Sequence, residues 1–156
     1  MKVLFVCSGN ICRSPMAAEL FRSRAAHSGL SHVVVDSAGT LGIEGAPASE
    51  EAIRAMAEIG VDLTGHRSKG VNEDLLRTTD LVVVMTRSHL EHLALHYPDG
   101  EDRRLLLRSF EKGPDPDPNA SGLRDPIGEP LELYREQVPL IARCVDHLLL
   151  HLKHGS

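Results

Sequence analysis

The chain has 156 residues, 42% of them hydrophobic and 25% charged, which suits one globular domain with a buried core. A formal net charge of −5 argues against nonspecific binding to nucleic acid or to an anionic membrane, so any phosphate site must be positive only locally. No apolar run approaches the length of a membrane span, the first residues run straight into a core strand with no signal peptide, and three cysteines, an odd number, fit a reducing cytoplasm better than a secreted disulfide scaffold.

Val3-Leu4-Phe5-Val6 reads as a fully buried strand. Cys7-Ser8-Gly9-Asn10-Ile11-Cys12-Arg13-Ser14-Pro15 follows, and Met16, Ala17, Leu20 and Phe21 then recur at helical spacing. Pro15 suits the first turn of that helix, where its missing N–H would have no partner. The nine residues are therefore a strand-to-helix turn, whose amides can curl around a point that the helix N-terminus makes partly positive. Arg13 adds a planar fork that matches two phosphate oxygens. Cys7, facing those dipoles, is expected to have a depressed pKa and to serve as a nucleophile toward a bound phosphate. The alternative is a buried structural cysteine in an ordinary turn. Cys-x5-Arg placed between a first strand and a helix favours catalysis.

Gly29 suits the end of the first helix. Val33-Val34-Val35 reads as a second strand ending at Asp36-Ser37-Ala38-Gly39, and Thr40 to Pro47 as a glycine-rich loop. Ser49 can cap a helix through Ile59, with Ala52, Ile53, Met56 and Ile59 on its buried side and Gly60 beyond its end. Asn72 is placed to cap a short helix over Glu73 to Arg77. Leu81 to Met85 reads as a strand, Ser88 to Tyr97 as a helix, and Leu105-Leu106-Leu107 as a fourth strand. His89, His92 and His96 share that helix at metal-like spacing, but no carboxylate or cysteine completes a site, and they read as a solvated face with no metal or other cofactor.

Lys112 to Pro130 holds five prolines and three glycines, a loop whose length suggests a functional lid or wall. Tyr134, Val138, Ile141, Val145, Leu148 and Leu152 alternate by four and three, the buried stripe of a last helix that Pro139 should kink or start late. Cys144 lies beside the stripe as a core or near-surface thiol. Strands alternating with helices imply a four-stranded parallel sheet with helices on both faces, with ligands beyond the C-terminal strand ends. The Cys7–Ser14 turn, the loop after Met85 and the loop after Leu107 converge there. Asp115, Asp117 and Asp125 are all loop carboxylates that could give a leaving group its proton.

The turn is similar, nearly residue for residue, to the signature of the low-molecular-weight protein tyrosine phosphatase family. Asp36-Ser37-Ala38-Gly39, His66-Arg67, the Met85 strand end and Asp125-Pro126 follow in that family's order, so the resemblance covers the whole chain, 1–156, as one domain. It implies hydrolysis of a phosphorylated protein or peptide through a cysteinyl-phosphate, without a metal. Cys7 resembles the nucleophile, Arg13 the phosphate clamp and Asp125 the general acid and base. Ser8, Gly9, Asn10, Ile11, Cys12 and Ser14 resemble the loop that binds the phosphate or another oxyanion. Ser14 looks like the hydroxyl that stabilises the thiolate, Asn10 like the residue that shapes the turn with Ser37 and His66 behind it, and Cys12 like a redox partner of Cys7.

The departures bear on substrate. The family's tyrosine phosphatases carry aromatic residues after Asp-Pro, whereas Ile127-Gly128-Glu129 follows Pro126 here, and Thr40 to Ala46 also lacks an aromatic. The bacterial protein arginine phosphatases, a branch of the family, resemble this chain in the loop after Asp-Pro and in the length of the Thr40–Pro47 segment but typically have Thr where Ile11 stands. Phosphotyrosine is the expected substrate group, with phosphoarginine as the alternative. Arsenate reductase on the same fold needs resolving cysteines that Thr86 to Tyr97 lacks, and a non-catalytic anion-binding module would need neither thiolate nor acid.

Overall fold

A computed structural model describes residues 1–154; the last two residues of the expected 1–156 domain lie outside them. Strands β1 (Lys2–Cys7), β2 (Val34–Gly39), β3 (Leu81–Val84) and β4 (Arg104–Leu106) form one parallel sheet in the order β2-β1-β3-β4. Helices α1 (Arg13–His27), α2 (Glu50–Ala57), α3 (Glu73–Arg77), α4 (Arg87–His96) and α5 (Leu131–His154) cover it. Register runs Val3↔Val35 and Cys7↔Gly39 across β1 and β2, and Val3↔Leu81 across β1 and β3. The chain steps to one side of β1 to make β2 and to the other to make β3. The C-terminal end of β1 is therefore the point where the order reverses and a crevice opens.

Side chains alternate across β1, and both faces are buried. Val3, Phe5 and Cys7 join a large core with α1, α2 and α5, including Met16, Phe21, Met56, Tyr134 and Ile141. Leu4 and Val6 join a smaller one with Leu76 of α3 and Leu93 of α4. Helices thus lie on both faces, as expected.

Local chemistry sets the boundaries. Ser49 Oγ accepts from the Ala52 amide at 3.3 Å, and Asn72 Oδ1 from the Leu75 amide at 2.8 Å. Helix α2 ends at Ala57, and Gly60 takes φ +79 just beyond. Ile59 therefore falls past the helix and is exposed, against the expectation that it packs. Helix α4 starts one residue early, at Arg87, and β4 runs one residue earlier than expected because Leu107 opens a 3-10 turn, Leu107–Phe110. Helix α5 is continuous through Pro139, and Cys144 is fully buried in the core.

Candidate active site

The turn between β1 and α1 is built from Asn10. It is fully buried and holds φ 58, a left-handed conformation that turns successive amides to one side. Its Oδ1 accepts the Lys69 amide at 3.0 Å, which fixes the side chain's orientation. The Nδ2 then donates to Ser14 Oγ at 2.8 Å and to Ser37 Oγ at 2.9 Å. Its backbone carbonyl meets His66 Nε2 at 2.6 Å. Ser37 and His66 lie behind the turn, and the Lys69 amide is a support the sequence did not reveal.

Cys7 ends β1 with its sulfur facing into this turn. The Asn10 amide donates to Cys7 Sγ at 3.3 Å, and Ser14 Oγ lies 3.0 Å from it. Since Ser14 Oγ already accepts from Asn10, its own proton is free for the sulfur. Helix α1 has no acidic residue in its first turn and no side-chain cap, whereas α2 and α3 each begin with two acids. The positive end of α1 is left for the turn.

Arg13 is buried in that first turn. Its Nη1 donates to the Leu123 carbonyl at 3.0 Å, and its Nη2 lies 3.4 Å from both Ser8 Oγ and Asp125 Oδ2. Its Nε is buried and finds no acceptor among the described residues, so a donor remains available to an anion. The long loop reaches the site because the Leu123 amide donates to the Met85 carbonyl at 2.8 Å. Asp125 stands at the rim, about two-fifths exposed, with Oδ1 accepting the Ile127 amide at 3.1 Å. Asp117, by contrast, donates its amide to the Ser109 carbonyl, accepts the Asn119 amide at Oδ1, and lines a different depression.

A cavity of about 160 Å³ opens over the turn. Cys7, Ser8, Gly9, Ile11, Cys12 and Arg13 form its floor, with Leu41, Ile43, Ile127 and Asp125 as walls. Three aliphatic side chains supply the apolar walls; the sequence pointed to Ile127 and to the segment of the other two only by their lack of aromatics. A larger groove of about 690 Å³ lies between α1, α2 and α5 and carries none of the expected site residues. Cys12 turns its sulfur toward Ser49 Oγ at 3.3 Å and Tyr134 Oη at 3.4 Å, and burial pushes its thiol pKa up. Beneath the turn, Gly39 closes the space: a Cβ there would lie 2.5 Å from the Ser8 carbonyl oxygen and 3.0 Å from the Asn10 nitrogen.

One correction concerns α4. His89 is not part of a solvated face: it is only 3% exposed, and its Nε2 lies 2.9 Å from Ser8 Oγ. It forms a capping box with Thr86. Burial, then the charge of Arg13, holds its pKa down to about 4; Asp125 pulls the other way and His92 adds to the lowering. The spacing of Thr86 and His89 at a helix start is the signal that could have found it. Among the described residues no group of three or more His, Cys, Asp or Glu is arranged to hold a metal.

The sequence model of the family described as low molecular weight phosphotyrosine protein phosphatase matches residues 2–155. The chain belongs to that family. It is 34% identical over 147 residues to a protein-arginine-phosphatase of Geobacillus stearothermophilus, covering 94% of this chain and 93% of that one. It is 41% identical over 144 residues to a low molecular weight protein-tyrosine-phosphatase of Streptomyces coelicolor, covering 85% of each. Its fold superposes with a TM-score of 0.90, at 30% identity and over 99% and 97% of the two chains, on the YwlE arginine phosphatase in a mutant with a phosphorylated active-site serine. For a member of this phosphatase family, a thiol, a guanidinium and a carboxylate meeting over one small cavity are the chemistry to be explained.

Proposed function

We propose that this chain, as a single domain, is a metal-independent protein phosphatase that hydrolyses phosphotyrosine through a cysteinyl-phosphate intermediate. The observation that carries this is the Cys7 sulfur set between the Asn10 amide and Ser14 Oγ, beside a buried Arg13 whose guanidinium reaches toward Asp125. The phosphate sits in the turn, held by backbone amides, the end of α1 and Arg13. The Cys7 thiolate attacks phosphorus, an S–P bond forms and the P–O bond to the leaving group breaks. Asp125 gives its proton to the departing oxygen. The resulting carboxylate takes a proton from water as that water attacks phosphorus. The S–P bond breaks, and inorganic phosphate and the Cys7 thiolate are restored. The phosphorylated serine of the YwlE mutant supports a covalent intermediate here. The positive charge that such a transition state needs comes from fixed dipoles and Arg13.

The walls favour an aryl group. A phosphorylated guanidinium brings N–H donors that need acceptors, and the lining offers one carboxylate, Asp125. A phenyl ring brings none and fits between Leu41, Ile43 and Ile127. The second reading is phosphoarginine, favoured by the lack of any aromatic ring among those lining residues and by the likeness to a protein-arginine-phosphatase. Cys12, which lines the cavity with Cys7, is the thiol proposed to trap an oxidised Cys7 as a disulfide, and a reducing cytoplasm is the compartment proposed to keep both reduced. The test compares kcat/KM on phosphotyrosine and phosphoarginine peptides with one preparation in EDTA. Faster release from phosphotyrosine is expected. The reverse order moves the substrate to phosphoarginine, and no release from either ends the phosphatase reading.

A further inference from the structure

We infer that His89 is a positioning residue that turns the Ser8 hydroxyl into a fixed hydrogen-bond donor toward the anion in the turn; the inference rests on the phosphate-binding part of the reading above.

The imidazole's protonation follows from its neighbours. His89 Nδ1 lies 3.1 Å from the Thr86 backbone nitrogen, which can only donate and aims its hydrogen at Nδ1, and 3.2 Å from Thr86 Oγ1, a hydroxyl that can donate as well. Nδ1 must therefore be bare, and in the neutral ring the proton sits on Nε2. Nε2–H then donates to Ser8 Oγ at 2.9 Å. Arg13 Nη2 donates to the same oxygen at the longer distance of 3.4 Å. Two donors occupy the two lone pairs of Ser8 Oγ, so its hydroxyl hydrogen has to go to a third atom. Ser8 lines the cavity floor, and the acceptor a phosphatase brings there is a phosphate oxygen.

The arrangement is one-way. Doubly protonated, His89 would aim Nδ1–H at the Thr86 N–H and lose the cap; as the other tautomer it would accept from Ser8 and leave the hydroxyl hydrogen pointing away from the anion. The buried setting between Arg13, Asp125 and His92, which holds the ring's pKa down to about 4, keeps it neutral. Nothing in the role requires His89 to touch substrate. It acts from α4, through a backbone amide at one nitrogen and a serine at the other, on a turn that belongs to β1 and α1.

The experiment measures inorganic phosphate binding by calorimetry, and KM and kcat for p-nitrophenyl phosphate, in Ser8→Ala, His89→Phe, the double variant, His89→Gln and Thr86→Ala. Removing one hydrogen bond to a charged group is worth about tenfold in phosphate affinity, and that loss is expected for Ser8→Ala and for His89→Phe. The double variant is expected to lose about tenfold as well, not about a hundredfold, because both substitutions delete one device. His89→Gln, which keeps a donor near the Nε2 position, should return to within about threefold of the starting protein, and KM should move more than kcat throughout. Thr86→Ala should lower the melting temperature and leave phosphate affinity unchanged, since the backbone amide still holds Nδ1.

Multiplying losses in the double variant, or a Thr86→Ala loss equal to that of His89→Phe, overturns the inference and leaves His89 a helix cap. The ring nitrogen shifts in an NMR spectrum of the unmutated protein read the tautomer directly, without need of a folded variant, and a proton on Nδ1 also overturns it. Because phosphate binding needs no turnover, a protein that binds phosphate with this coupling yet hydrolyses nothing refutes the catalytic reading and keeps this one.

Discussion

The phosphate turn and the loop that carries Asp125 meet across one small cavity, and they are held in opposite ways. In the turn, Asn10 is hydrogen-bonded to four residues, Ser14, Ser37, His66 and Lys69, and Asn10, Arg13 and Ser14 are all buried. The loop from 111 to 130 has no regular helix or strand and is tied at separate points: the Leu123 amide to Met85, the Leu123 carbonyl to Arg13, and the Pro118 and Ala120 carbonyls to Arg87. Asp125 itself stands at the edge of solvent. The proposed function accounts for the difference by the charges each region would handle. A phosphate in the turn would carry its charge through the whole cycle, and dipoles that need no rearrangement stabilise such a charge best. A leaving group would need one proton once, from an acid that must then admit water to the same place.

Substitutions should break this contrast in order of size. The largest effect is expected for Cys7→Ser: turnover of p-nitrophenyl phosphate falls by more than about 10⁴-fold, while vanadate or phosphate affinity stays within about tenfold, because the rest of the turn is intact. Steady-state rates and calorimetry read the two halves, and activity near that of the unmutated protein would remove Cys7 as nucleophile. Asp125→Asn, on the loop side, should lower kcat by about 10²–10⁴ for poor leaving groups and far less for good ones. Asp117→Asn should stay within about twofold, as a surface change away from the site does. A larger loss for Asp117→Asn reverses the assignment of the acid.

Asn10→Ala attacks the turn's framework instead of its chemistry. It deletes three side-chain hydrogen bonds and puts a Cβ-bearing residue without a polar side chain at φ 58, for an expected stability loss of about 2–4 kcal/mol in urea unfolding. A loss under about 0.5 kcal/mol would mean that the turn holds its shape without this residue. The smallest effect is a pH dependence. His89 has a folded pKa of about 4 against an ordinary 6.5, so between those values the unfolded chain binds the proton and the folded chain does not. Its contribution is full above pH 6.5 and lost as pH falls through 4, and the part lost between pH 7 and 4.5 amounts to about 2 kcal/mol. The fall in melting temperature from pH 7 to 4.5 should be shallower in His89→Phe, and equal slopes would contradict the buried, neutral ring.

The two regions also differed in how well the sequence disclosed them. The β1–α1 unit was legible because its signals are contiguous: four apolar residues, a Cys-x5-Arg turn, and a proline opening a helix. Asp125 was named only through resemblance, since Asp115 and Asp117 share its composition and loop, and what brings it to the cavity is the Leu123 tether to Met85 and Arg13. His89 was misread because its spacing with His92 and His96 describes a helix face, whereas the first turn of α4 is governed by its cap and by the strand end it abuts. The sequence marked the segments of Leu41, Ile43 and Ile127 only by their lack of aromatic residues, because an isolated exposed aliphatic residue in a loop looks the same whether it faces bulk water or a cavity. Ile59 failed for a simpler reason: the periodicity ran on two residues past Ala57, where the helix ends before it reaches Gly60.

Gly39 gives the site an uneven tolerance to sequence change. Any side chain at the end of β2 would collide with main chain of the phosphate turn, so the position admits only hydrogen. Two and four residues further on, Leu41 and Ile43 stand exposed, and Ile127 faces them from a separate loop. The Thr40 and Leu41 amides lace this segment to the Cys7 and Ser8 carbonyls through backbone alone, so its side chains can be exchanged without cutting those ties. On the proposed function, a lineage, or a combinatorial library, can therefore re-cut the leaving-group side of the cavity at positions 41, 43 and 127 while the turn beside it stays frozen, and new substrate preferences on this scaffold should arise there without loss of turnover on the way.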